Sequence, residues 1–278
     1  MAQLKTPPRP TTVERVGILS GKNIVITGVL TDASLAFGVA QLAQQEGAKI
    51  VLTGAGRGLS ITQRAAKKLS TQVEVIEFDV TVEEHVVSAR TEVEKHLGRV
   101  DGVLHSIGFA PAACLGDDFM AAPWEDVAIA MHVSTYSMKA LADAFVPLMA
   151  PPVGSGGSIV GLDFDNSVAW PAYNWMGVAK SALQSVSRYL AKELGPQGIR
   201  CNLVAAGPIR TMAAKSIPGF AKFEDVWDGR APLGWDINDS EPVARTVVAM
   251  AKASPQKPPV KAPASGANAS CKAAGARS

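Results

Sequence analysis

Tyr173 and Lys180 stand seven residues apart in "AYNWMGVAKSAL", residues 172–183. A phenol is a hydrogen-bond donor, and an ammonium is a cation with three donors. The pattern around them predicts a helix over about residues 171–193. At about 100° per residue the two positions differ by roughly −20°, and they lie about 10.5 Å apart along the axis. On one helix face, two such long side chains can converge on one ligand. A packed tyrosine and a solvated lysine would show the same spacing. What raises the pair above that reading is its setting. The helix follows an apolar strand, "GSIVGL" (157–162), and Asp163 and Phe164 stand at that strand's end.

The elements that must position the pair are legible as short apolar runs alternating with helical patterns. Strands are expected at 23–27, 49–53, 73–78, 100–106, 157–162 and 200–206. Helices are expected at 34–47, 60–69, 83–97, 123–149 and 171–193, and a last one begins near Asp239 or Ser240. Strands buried on both faces and alternating with helices predict an α/β fold: one doubly wound, Rossmann-like parallel sheet in a single domain, residues 17–250. Ligands of such sheets bind beyond the carboxyl ends of the strands. Residues 207–239 lack strand character and carry Phe220, Phe223, Trp227 and Trp235, which predicts a loop acting as a substrate lid. Residues 1–16 read as a flexible extension. Residues 251–278, with four prolines and Val260 as the one large aliphatic, read as a flexible basic tail.

The first strand-to-helix turn, "TGVLTDASLAFG" (27–38), is where a dinucleotide fold holds a pyrophosphate. It lacks the G-x-G-x-x-G pattern: after Gly28 the next glycine is Gly38. Ser34 and Ala36 supply small side chains, and Ser34 has a hydroxyl to donate. A capped helix after a strand would look the same. "GAGRG" (54–58) is richer in glycine but follows the second strand, and it reads as a turn. No acid ends that strand to hold a ribose 2′-hydroxyl, and Arg57 is placed to pair a 2′-phosphate, so this loop leaves NADH and NADPH both open. Asp79-Val80 and "HSIGF" (105–109) end the third and fourth strands, where they could meet adenine, ribose and nicotinamide. Ordinary strand-end turns would account for them equally.

The totals exclude several classes. Of the 27 Lys and Arg, five stand in residues 251–278 with no acid, so the remaining 22 face all 25 acids and the first 250 residues carry −3. That gives no electrostatic case for nucleic acid. No run of 18 apolar residues predicts membrane insertion. Cys114, Cys201 and Cys271 are few, odd in number and far apart, as expected of free thiols in a reducing, cytoplasmic setting. The four histidines have no metal-ligand spacing, so no metal is expected.

The chain resembles the enoyl-acyl-carrier-protein reductases of bacterial type II fatty-acid synthesis, within the short-chain dehydrogenase/reductase superfamily, and most closely the actinobacterial NADH-dependent type. The stretches that carry the resemblance are "ITGVLTDASLAFG", "LHSIGF", "GLDFD", "PAYNWMGVAKSALQS", "IRCNLVAAGPIRT" and "RAPLGW", spread over roughly residues 17–250. The tyrosine-x6-lysine spacing separates these reductases from relatives with tyrosine-x3-lysine. The resemblance implies that Tyr173 donates to the thioester carbonyl, Lys180 holds the nicotinamide ribose, and Phe164 packs beside nicotinamide and substrate. It implies cofactor contacts from Gly28, Ser34, Leu35, Asp79, Val80, Ser106, Ile107, Gly108, Ile209 and Thr211. Met212, Ile217, Phe220 and Phe223 become candidates for the acyl-chain wall. NADH is the implied cofactor, enoyl-acyl carrier protein or enoyl-CoA the implied substrate, and a homotetramer the implied assembly. A ketoacyl reductase of the same fold would carry a serine about thirteen residues before the tyrosine, where Val160 stands. The lid is shorter than in members specialised for very long chains, which favours ordinary fatty-acid lengths. The family's seventh strand, introduced by Thr-Gly and closed by Asp-Gly-Gly, has no counterpart after Met250.

Overall fold

The computed structural model describes residues 16–154, 156–215 and 217–252. The expectations for residues 1–15 and for the tail beyond Lys252 lie outside the described residues. Six strands form one sheet: β1 (Asn23–Thr27), β2 (Lys49–Gly54), β3 (Val75–Glu77), β4 (Gly102–His105), β5 (Gly157–Asp163) and β6 (Ile199–Ala205). Their order is β3-β2-β1-β4-β5-β6, and every neighbouring pair is parallel. The order reverses between β1 and β4, the switch point at which such sheets open a crevice.

Period-two alternation divides the core. Ile26, Leu52, Leu104 and Val160 face helices α1 (Leu35–Gln45) and α9 (Glu241–Ala251), meeting Val39, Ala43, Val243 and Val247. Val25, Val51, Val103 and Ile159 face α3 (Glu83–Leu97), α5 (Ser137–Met149) and α6 (Asn174–Leu194), meeting Val93, Phe145 and Leu183. Both faces are covered, which is why the strands read as continuous apolar runs. All seven residues of β5 are buried.

Three local departures from the sequence reading stand out. The helix expected over 123–149 is two helices, α4 (Trp124–Met131) and α5, joined through a π-helical turn at His132–Tyr136. Ser134 in that turn accepts from Phe109 N and donates to Phe109 O, at 2.9 and 2.8 Å, and Thr135 donates to Ala179 O at 2.7 Å. The bulge turns these hydroxyls toward the neighbouring chain. α2 (Gly56–Ala66) starts earlier than expected, so most of "GAGRG" is its first turn. The segment 207–239 contains α7 (Met212–Lys215) and α8 (Ala221–Arg230). The last helix begins where expected, and Asp239 accepts from Glu241 N at 2.8 Å, whereas the Ser240 side chain makes no cap. Among the described residues, no helix is long and apolar enough to cross a membrane.

Candidate active site

Because all strands are parallel, their carboxyl ends share one rim. Gly28, leaving β1, has φ +80°, and a Cβ there would stand 1.9 Å from Ser106 O. Only glycine fits, and the close approach joins the ends of β1 and β4. Thr27 beneath it donates to Leu104 O at 2.9 Å and accepts from Ser106 N at 3.0 Å. Ser34, just before α1, accepts from Leu30 N and Thr31 N at 3.2 and 2.9 Å. Those bonds hold the loop and leave the hydroxyl proton to donate elsewhere. Leu35 opens α1, whose first turn has no acid. A dinucleotide pyrophosphate fits this cradle: an open backbone turn, a free hydroxyl proton and a helix start without negative charge.

The other rim residues sit at neighbouring strand ends. Asp79 accepts from Thr81 N and Oγ1, and its own N–H donates to His85 Nδ1 at 3.0 Å. Val80 is buried beside it. Ser106, Ile107 and Gly108 leave β4, and Gly108 is exposed. Ile209 is buried, and Thr211 caps α7 by accepting from Ala214 N at 3.1 Å. Arg57 is exposed in the first turn of α2.

Tyr173 lies one residue before α6, flanked by Ala172 at φ +60° and Asn174 at φ +47°. The left-handed Asn174 interrupts the helix, so the expected shared helical face does not describe the pair. Convergence comes instead from β5. Lys180 is buried, and its ammonium donates to Leu162 O at 2.8 Å. Tyr173 is 7% exposed and packs edge-on against Phe164, at 5.1 Å between ring centres. The two side chains thus meet consecutive parts of one strand end. Burial, with a smaller contribution from the Asp163 charge, holds the Tyr173 phenol above its usual range, so it remains a donor. Burial pulls the Lys180 ammonium down, and Asp163 opposes that. His105 ends β4 fully buried, with Nε2 2.8 Å from Ser137 Oγ. Burial and the Lys180 charge push its imidazole down to about 3, so it is neutral near pH 7.

Aromatic rings close over the phenol. Trp170 and Phe223 are buried with Tyr173, and Phe164, Phe220, Ile217 and Trp227 pack against them. Phe223, from α8, is 2% exposed. Arg230, at the end of α8, lies 4.6 Å over the Trp170 ring and 3.4 Å from Asp165. The lid packs so closely on Gly207 that a Cβ there would be 2.7 Å from both Trp227 and Trp235. Of the four expected acyl-chain contacts, Ile217, Phe220 and Phe223 join this cluster. Met212 is 59% exposed and stands outside it. Val160 is buried in the core on the α1 side. Sequence reasoning missed Trp170 and Gln184, which carry no signal in their spacing. It treated Phe220, Phe223 and Trp227 as loop residues, although i, i+3, i+7 is helical spacing.

This arrangement can do one kind of chemistry well: a protonated phenol in an apolar cage can stabilise charge developing on a substrate oxygen. Among the described residues no cluster of His, Cys, Asp and Glu could hold a metal ion.

Comparison with known proteins points the same way. A family profile described as "Enoyl-(Acyl carrier protein) reductase" matches residues 28–257. The chain is 48% identical over 248 residues to the enoyl-[acyl-carrier-protein] reductase [NADH] of Mycolicibacterium smegmatis, covering 84% of this chain and 90% of that one. It is 47% identical to the Mycobacterium avium protein of the same name, with the same coverage. It is 36% identical to the enoyl-[acyl-carrier-protein] reductase [NADPH] FabI of Staphylococcus aureus, covering 80% of this chain and 87% of that one.

Proposed function

The chain belongs to the enoyl-acyl-carrier-protein reductases of the short-chain dehydrogenase/reductase superfamily, and from that premise we propose that it reduces trans-2-enoyl thioesters with NADH. The substrate is carried on acyl carrier protein or CoA and belongs to fatty-acid elongation. The observation that carries this reading is Tyr173: a buried phenol kept protonated inside an aromatic cage that includes Phe164, at the strand end whose Leu162 carbonyl holds Lys180.

When bound, NADH supplies the hydride that adds to the β-carbon of the double bond. Gly28 leaves room for the pyrophosphate at the first turn of α1, where Ser34 donates its hydroxyl proton and Leu35 begins the helix. Asp79 and Val80 flank the adenine, and Ser106, Ile107 and Gly108 line the ribose and nicotinamide. Ile209 and Thr211 cover the nicotinamide side. Lys180 holds the ribose hydroxyls and so fixes the cofactor against the substrate. As charge moves to the thioester oxygen, Tyr173 donates to it. Phe164 and the lid rings exclude water, which strengthens that hydrogen bond. A proton at the α-carbon completes the reduction. Ile217 and Met212 are the proposed acyl-chain contacts, and the short lid suits chains of ordinary length.

Purified protein given a crotonyl or longer enoyl thioester should consume NADH, with NADPH run in parallel because Arg57 is exposed beyond β2. Consumption with a 3-ketoacyl thioester and none with the enoyl thioesters would overturn the reading.

We further read the protein as a cytoplasmic homotetramer. Cys114 and Cys201 are buried free thiols, and burial pushes Cys201 up to about 12, which suits a reducing compartment. A stripe of exposed side chains runs down α4 and α5 through Ile129, His132, Tyr136 and Lys139. His132 and Lys139 both pack on the Tyr136 ring. A second stripe on α6, with Val178 and Tyr189, also faces outward. Exposed aromatic and aliphatic side chains on neighbouring helices fit a self-complementary interface. Sedimentation equilibrium should give four times the chain mass, and a monomer at micromolar concentration would exclude the assembly.

A further inference from the structure

We propose that Asp163 is a positioning residue for Lys180: its buried carboxylate is the fixed counter-charge that keeps the ammonium charged and aimed at the cofactor ribose. The proposal rests on the reading of Lys180 as the cofactor anchor.

The geometry is a two-point clamp between α6 and the end of β5. Lys180 and Gln184 are one turn apart on α6, so they share a face. Lys180 donates to the carbonyl of Leu162, and Gln184 donates through Nε2 to Oδ2 of Asp163, the next residue, at 2.9 Å. Asp163 is 6% exposed, and its Oδ1 is buried with no hydrogen-bond partner among the described residues. A buried carboxylate with a vacant oxygen is costly unless an opposite charge stands near it. Lys180 is in the same position: its ammonium is buried, with one of its three N–H groups on Leu162 O. The two groups act on each other, since Lys180 lowers the Asp163 carboxyl and Asp163 raises the Lys180 ammonium. Burial is the largest effect in both groups; at Asp163 the Gln184 hydrogen bond and then the Lys180 charge oppose it, and at Lys180 Asp163 alone does.

The remaining titratable groups around this pair do not replace Asp163. His105 faces Lys180 from β4 and is neutral near pH 7. Tyr173, before α6, is held protonated. Asp165, beyond Phe164, is turned to Ser167 and to Arg230 of α8. Of these, Asp163 is the one buried anion. The residue at 184 fits this role: a neutral amide satisfies one carboxylate oxygen without cancelling the charge that Lys180 needs.

The test is Asp163→Asn, an isosteric change, read first on the cofactor-free protein. With 13C-labelled lysine, NMR should show Lys180 losing its proton at a pH about one unit lower than in the parent, a tenfold change in the proton equilibrium. The NADH dissociation constant, followed by fluorescence, should rise in the same alkaline range and remain near the parent value at lower pH. Gln184→Ala keeps the charge but frees the carboxylate, so it should shift both readouts in the same direction by less. Because that variant keeps both ionisable groups, it preserves the test if the asparagine variant fails to fold. Unchanged Lys180 titration in Asp163→Asn, or in Gln184→Ala where only that variant folds, overturns the proposal. Lys180→Met separates the two ideas: if it binds NADH like the parent, the anchor reading fails. If it loses binding while Asp163→Asn keeps the parent pH profile, only the positioning role fails.

Discussion

Replacing Tyr173 by phenylalanine is expected to lower kcat about 10²–10³-fold while leaving NADH affinity unchanged. A preorganised donor to a developing oxyanion is worth about 2.7–4 kcal/mol. The substitution removes that donor and little else. The ring keeps its contacts with Phe164 and Phe223, at 5.1 and 6.2 Å. The lost hydroxyl has no part in the cofactor cradle at Gly28 and Ser34. Single-turnover measurements with an enoyl thioester would show the loss in the chemical step, alongside a fluorescence titration with NADH. Turnover at the parent rate would remove Tyr173 from the mechanism, and a parallel loss of NADH binding would give it a structural role instead.

The second large effect is expected at Gly28. An alanine there meets two penalties. Its φ of +80° is strained for any residue with a Cβ, and that Cβ would stand 1.9 Å from a backbone oxygen, Ser106 O. Strain of about 1–3 kcal/mol and overpacking of about 1–3 kcal/mol together predict a loss of about 2–6 kcal/mol. No flexible side chain can yield, so the ends of β1 and β4 must separate, and with them the bonds of Thr27 to Leu104 and Ser106. Urea denaturation should show the loss of stability, NADH binding should weaken, and turnover should fall about a hundredfold if the rim opens by an ångström or so. Gly38→Ala is the internal control. It lies within α1, its Cβ would come no closer than 3.4 Å to Ser240 Oγ, and it should be neutral or slightly stabilising. Equal behaviour of the two variants would contradict the close-approach argument.

The contrast between these glycines shows what the sequence could reveal. A glycine-poor turn looks like weak evidence for a dinucleotide site, because the familiar spacing is missing. In the structure one glycine suffices, since Gly28 alone makes the close approach and Ser34 and Ala36 are small enough for the helix start. The strands were legible to within a few residues because the central ones are buried on both faces, β5 at all seven positions, and so read as short apolar runs. β1 and α3 have the expected limits. The π-helical turn between α4 and α5 was not legible, since it depends on where Phe109 and Ala179 come to lie. Nor was the break before α6: asparagine tolerates left-handed backbone, but alanine gives no sign of it. The candidate pair was therefore singled out by its spacing for a reason that proved incomplete. The strand end that gathers it, with Asp163 and Gln184, is a tertiary fact.

That break has a consequence for how this protein can change over time. Two left-handed residues without glycine, Ala172 and Asn174 on either side of Tyr173, carry strain of about 1–3 kcal/mol each, and they persist because another segment holds them. Ala172 O accepts from Gly116 N at 2.9 Å, and the Asn174 side chain donates to Gly116 O and Asp118 O at 3.2 and 3.1 Å. The phenol's position is thus inherited from a surface loop some fifty residues earlier in the chain. Substitutions at 116–118 and at 172–174 are therefore tied together. A change that a lineage tolerates at one would depend on what already stands at the other. Glycine at 172 would relax the backbone and free the loop to drift, at the expense of the rigidity that aims the donor.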